Sequence, residues 1–113
     1  MPGSVSFETH HQEFLRDPER AQAYLAVALE DYENDKNSDA FLLALRDVAQ
    51  AQGGLGKLAE QTDLNRGHVY RALSGAGNPR LKTIEKILHS LGFRLSIERL
   101  PSSPVPYPER EQG

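Results

Sequence analysis

The chain reads as an all-α fold of five helices built around a helix-turn-helix, closed by a single C-terminal β-strand. Three observations lead there. Residues 55–75, LGKLAEQTDLNRGHVYRALSG, form two short amphipathic segments around a turn, with basic and polar side chains gathered on the second. Elsewhere apolar residues recur at helical spacing between capping signals. Only residues 93–98 alternate with the period of a strand.

Residues 1–13 are expected to be a flexible N-terminus. Asp17 followed by Pro18 marks a helix start, with Asp as N-cap and Pro at the first helical position, where its missing amide costs nothing. The helix runs to about Glu33, with Ala21, Leu25, Ala28, Leu29 and Tyr32 as its apolar stripe and Tyr24 and Val27 beside it. Residues 34–37 are a polar break, so 14–37 form one N-terminal unit. Ser38 caps a second helix, in which Phe41, Leu42, Leu45, Val48 and Ala49 keep helical spacing and which Gly53 and Gly54 terminate. This helix is expected to pack under the helix-turn-helix.

In residues 55–75, Leu58 and Ala59 share one face, Leu64 fills the turn, and Val69 and Leu73 recur four apart on the next helix. Ala59 is small where two steeply crossed helices would approach. Asn65 is a strong N-cap, so the second helix starts at Arg66. Arg66, Gly67, Tyr70 and Arg71 then face away from the apolar side. A helix entering a major groove by its first turn would offer them to base edges and phosphates. An ordinary helical hairpin with a solvated charged face has the same pattern.

The loop AGNPR follows, its proline opposing further helix. A fifth helix spans about Leu81–Ser90, with Ile84, Ile87, Leu88 and Leu91 apolar and Gly92 at its end. Phe93, Leu95 and Ile97 then alternate with Arg94, Ser96 and Glu98. A lone strand has unsatisfied edges, and antiparallel pairing with a second copy would give a homodimer with two recognition helices about one turn of DNA apart. The other reading is an extended segment laid over its own core. Residues 38–99 thus form the DNA-binding domain with its strand, and the proline-rich 100–113 a disordered tail.

A length of 113 residues suits one domain with a modest core. There are no cysteines, so disulfides, thiolate metal sites and a cysteine nucleophile are excluded. His10, His11 and His89 lack ligand spacing, and no metal is expected. No apolar run approaches the roughly 18 residues that span a bilayer, and MPGSVSFETHHQEF has no signal-peptide pattern, so a cytoplasmic protein without membrane contact is expected. Glu30, Asp31, Glu33 and Asp35 read as a solvated helix end rather than an acid/base pair, and no nucleophile motif or phosphate loop accompanies them. The chain is therefore read as no enzyme, with no catalytic residues and no cofactor.

The net charge of −3 is poor for a nucleic-acid binder, but it is unevenly spread. Residues 1–52 hold four basic side chains against ten acids, which leaves −6; residues 53–100 hold eight against four, which leaves +4. The basic half is the one with the helix-turn-helix.

The stretch from SDAFLLAL to LHSLGFRLSI, with DPERAQAYLAVALED ahead of it, resembles the addiction-module antidote (antitoxin) proteins, a branch of the phage-repressor-like helix-turn-helix superfamily. The resemblance covers about residues 14–97 and is carried best by VYRALSGAGNP and LHSLGFRL. It implies a repressor-like domain in a type II toxin-antitoxin module, one that binds and neutralises a small RelE-like toxin and represses its own operon. Arg66, His68 and Arg71 are then candidates for base or phosphate contact, with Tyr70 beside them and Asn65 touching phosphate as well as capping. Asn78, Arg80 and Lys82 fall where repressor-like folds lie against the DNA backbone. His68 reads equally as an exposed polar residue, and Tyr70 nearly as well as core. Asp63 stands where the family commonly has glycine in the turn, Gly56 where it has a Ser or Thr cap, and Gly67 leaves a gap on the recognition surface.

The acidic residues 14–52, above all the unit 14–37, are the expected contact for a small basic toxin, since RNA-targeting toxins carry positive charge. The partners expected are therefore double-stranded operator DNA, that toxin and a second copy. The alternative is a stand-alone helix-turn-helix transcriptional repressor whose acidic half only packs the fold.

Overall fold

This computed structural model describes residues 7–75 and 77–100, which form six helices: α1 (Phe7–Leu15), α2 (Pro18–Asp35), α3 (Ser38–Ala51), α4 (Leu55–Thr62), α5 (Arg66–Ala72) and α6 (Leu81–Ser90). Local chemistry sets most boundaries. Asp17 is extended and its carboxylate accepts the Arg20 amide at 3.1 Å, with Pro18 next in line. At the other end of α2, Lys36 turns left-handed (φ 59°) and donates its amide to the Tyr32 carbonyl at 2.7 Å. The cap of α3 is Asn37, not Ser38: its side chain accepts the Asp39 amide at 3.0 Å and Ser38 is the first helical residue. Both residues are good caps, and the one whose oxygen reaches the amide two residues on wins.

α3 lies at the centre. Phe41, Leu42, Ala44, Leu45, Val48, Ala49 and Ala51 are all buried on it, more than one stripe's worth, so it must be covered from several sides. α1 and α2 cover one side and α4 another, while α5 and α6 pack on α4. Leu15, Leu25, Leu58, Val69, Leu73 and Ile87 complete one continuous core.

α1 stands ahead of the five expected helices, over a stretch read as flexible. Of residues 1–13, 1–6 lie outside the described residues and 7–13 are helical. Leu15, at 0% exposure, explains why this segment is held: it belongs to the core, and α1 packs on both α2 and α3. The Gln52 amide donates to the carbonyls of Leu15 (2.9 Å) and Arg16 (3.0 Å), satisfying the end of α1. Farther along, the Tyr24 hydroxyl donates to Asp47 Oδ2 at 2.8 Å, and His11 Nε2 lies 3.2 Å from that hydroxyl and 3.6 Å from the same carboxylate.

The expected C-terminal strand is not formed. Residues 93–100 carry no regular secondary structure and form no strand ladder, so the regular elements among the described residues are all helical, and the pairing of Phe93, Leu95 and Ile97 with a second copy loses its structural basis. A strand needs a ladder partner. Here the chain folds back at Gly92 (φ 92°), the Phe93 amide donates to the Leu88 carbonyl at 2.8 Å, and Phe93 packs against the core. Leu95 is left 43% and Ile97 96% exposed. The tail expected to be disordered, apart from Leu100, lies outside the described residues.

Leu45→Ala should cost about 2–5 kcal/mol in urea denaturation, because the methyls it removes are fully enclosed. Alkaline pH should also weaken the fold. Burial first, then the hydrogen bond to Asp47 and its negative charge, push the Tyr24 hydroxyl up from 10.0 to about 12. Between those values the unfolded chain loses a proton that the folded chain keeps, so stability falls as pH rises through that window. Thermal melts across it should show the fall in the wild type and a smaller one in Tyr24→Phe.

Candidate nucleic-acid interface

The α4–α5 unit depends on a three-residue connection. Asp63 takes the left-handed conformation (φ 62°, ψ 25°) and its amide, with that of Leu64, donates to the Ala59 carbonyl. This is the position where glycine was expected, and a short Asp side chain tolerates it. Asn65 then returns to an extended backbone, and its Oδ1 accepts the His68 amide at 2.7 Å, starting α5 at Arg66 as its sequence predicts. Gly56 does not cap α4. Gly54 is the N-cap residue, without a side-chain bond, and Gly56 lies inside the helix.

α5 has only seven residues, too few to be stable alone. Val69 and Leu73, both at 0% exposure, hold it to the core, and the expected facing follows from that anchoring. Arg66, Gly67, Tyr70 and Arg71 are exposed, while His68 is half-buried. Tyr70, at 47%, is not a core residue.

The candidate residues fall into two neighbourhoods joined along α5. Arg66 reaches back over the first turn of α4, where a Cβ on Gly56 would meet its guanidinium at 2.5 Å. With Asn65 and Leu64 it edges a shallow depression that also contains Glu60 and Asp63. Arg71 lies along α5 over Gly67, whose added Cβ would sit 3.2 Å from Arg71 Nη1. The gap at Gly67 is thus covered by the arginine itself. A second depression brings His68 and Arg71 together with Gly77, Asn78 and Pro79 of the loop.

Arg80 is the N-cap residue of α6 but its side chain makes no capping bond, and Lys82 follows in the first turn; both are exposed. Among the described residues, no ion pair involves Arg66, Arg71, Arg80 or Lys82; the pairs formed are His11–Asp47, Arg20–Asp17 and Lys36–Glu33. Among the described residues, the cations near α5 are therefore free of ion pairs. Lys57 was not singled out from the sequence. It is exposed on the first turn of α4 with its stem over Gly53, and its charge was the only signal available.

A family model described as a probable addiction module antidote protein matches residues 5–99. An uncharacterized protein of Haemophilus influenzae is 31% identical over 87 residues, covering 77% of this chain and 84% of its own length. No solved structure matches.

The loop geometry generates a prediction. A Cβ on Gly77 would strike the Arg71 carbonyl oxygen and crowd that of Ala72 at 3.1 Å, both backbone atoms that cannot swing aside. Gly77→Ala should cost about 1–3 kcal/mol in chemical denaturation or displace residues 77–80. Gly67→Ala, facing only a flexible guanidinium end and Asn65 Oδ1, should be neutral or stabilising by up to about 1 kcal/mol.

Proposed function

The chain belongs to the family of probable addiction module antidote proteins, and from that premise we propose that it is a DNA-binding antitoxin that neutralises a small basic RelE-like toxin and represses its own operon. The DNA-binding half of this reading rests chiefly on one observation. Arg66, Arg71, Arg80 and Lys82 stand exposed and, among the described residues, without ion-pair partners around a short helix anchored by Val69 and Leu73 and capped by Asn65. In that reading α4 and α5 are a helix-turn-helix of the phage-repressor-like kind, and α5 enters the major groove. Tyr70 and Arg71 meet base edges, Arg being the commonest reader of guanine. Arg66, Arg80 and Lys82 meet phosphates on either side, with Asn78 at the loop. His68, half-buried, lines the same depression as Arg71 and the loop and is a further candidate for DNA contact.

The surplus of cations over residues 53–100 gives the affinity common to all sequences, and α5 adds the discrimination. Control of its own operon fits an antidote, since free protein then limits its own supply. Electrophoretic mobility and anisotropy titrations on the chain's own promoter region test the reading. Arg71→Ala should lose specific binding with its melting curve unchanged, while Arg80→Ala should weaken all sequences alike and lower the salt slope by about one. A wild-type chain with no salt-dependent affinity for that duplex would refute the DNA-binding role.

A further inference from the structure

The apolar stripe of α2 is longer than the core needs. Ala21 and Leu25 are buried, but Leu29 remains 46% exposed on the next turn. It opens on a groove bounded by α2, α3, α6 and residues 93–98. Two depressions in that region share Leu29, Phe41, Leu88 and Leu95, so they are one continuous apolar trough. Leu81, 71% exposed, extends it toward the loop. Single exposed leucines are ordinary; a contiguous run of them along one groove marks a contact surface.

The rim carries a sign. Glu19 lines the trough, and Glu30 and Glu33 are exposed farther along the same helix. Glu33 is partly offset by Lys36 at 3.7 Å, but α2 as a whole has five carboxylates against one guanidinium. The facing segment adds one charge of each sign, Arg94 and Glu98, so α2 decides the field.

We propose that this trough is where the antidote holds its toxin, by taking an amphipathic segment whose apolar stripe seats on Leu29 and Leu95 and whose cations face α2. The inference rests on the antidote reading above and places the contact beyond the acidic N-terminal unit, on a surface completed by α6 and residues 93–98. A second copy fits the trough poorly. A two-fold contact sets each patch against itself, which would oppose one acidic helix to the other. A basic apolar segment meets no such penalty.

The test uses the full chain and the product of the adjacent gene, measured by calorimetry and by growth rescue on co-expression. Leu29→Lys and Leu95→Lys, on separate elements and both already exposed, should each weaken binding by about thirtyfold or more. Val27→Lys, on another face of α2 and 55% exposed, should stay within about threefold. Melting curves identify any variant that fails to fold, and the other substitution then decides. If both lysine variants bind and rescue like wild type, the trough is not the site although the antidote reading stands. If the wild type neither binds nor rescues, the antidote reading fails and the inference with it. A wild-type dimer that Leu29→Lys converts to monomer in sedimentation, without toxin, would assign the trough to a second copy and overturn the proposal.

Discussion

Everything in this fold is arranged around the surplus of apolar surface on α3. A helix with one buried stripe needs one neighbour; α3 buries Phe41, Leu42, Leu45, Val48 and Ala49 together with Ala44 and Ala51, and needs several. At about 25 cal/mol per Å², enclosing leucine and valine side chains on both sides is the dominant favourable term available to a chain this short. The acidic helices α1 and α2 and the basic set α4 to α6 are held in one unit because they cover the same helix.

That constraint explains how so short a helix as α5 can be placed with definition. Its position follows from three local devices in succession: Asp63 turning the chain left-handed, Asn65 capping the new helix, and Val69 and Leu73 seating it. Each acts within about one turn, so the directions of Arg66, Tyr70 and Arg71 are fixed by neighbours in sequence as much as by the core. Thr62 closes the unit from within, its hydroxyl donating to the Leu58 carbonyl at 2.8 Å. Ser90 Oγ, donating to Gln61 Oε1 at 2.9 Å, ties α6 to the same helix.

The legible parts of this structure were those with local causes. Asp17–Pro18, Asn65 and the span Leu81–Ser90 could be read in place because caps and helical periodicity act over a few residues. The exposed face of α5 followed in the same way. The strand could not be settled so. Alternation in Phe93, Leu95 and Ile97 describes which way side chains point in any extended segment, whereas a strand also requires a partner ladder that periodicity cannot supply. α1 escaped for the opposite reason: FETHHQEFL is too polar to announce a stripe, and its own Leu15 is buried in the core while Gln52 and the Tyr24–Asp47 pair meet it from elsewhere in the chain. The trough had no sequence signal either, since Leu29 reads as core until α6 and residues 93–98 are placed beside it.

The packing around α3 also bears on how the net charge is distributed. A net charge of −3 matters to a phosphate only through the charges it can feel, and at physiological salt the screening length is about 8 Å. A helix with its side chains is about 10 Å across. α2 packs on α3, α3 on α4 and α5 on α4, so in the main packing order two helices stand between the α2 carboxylates and Arg66 and Arg71. The surplus therefore differs in sign between the two halves, although Glu60 and Asp63 share the depression beside Arg66. One small core thus supports a cationic helix and an acidic apolar trough on a single chain, without either surface cancelling the other.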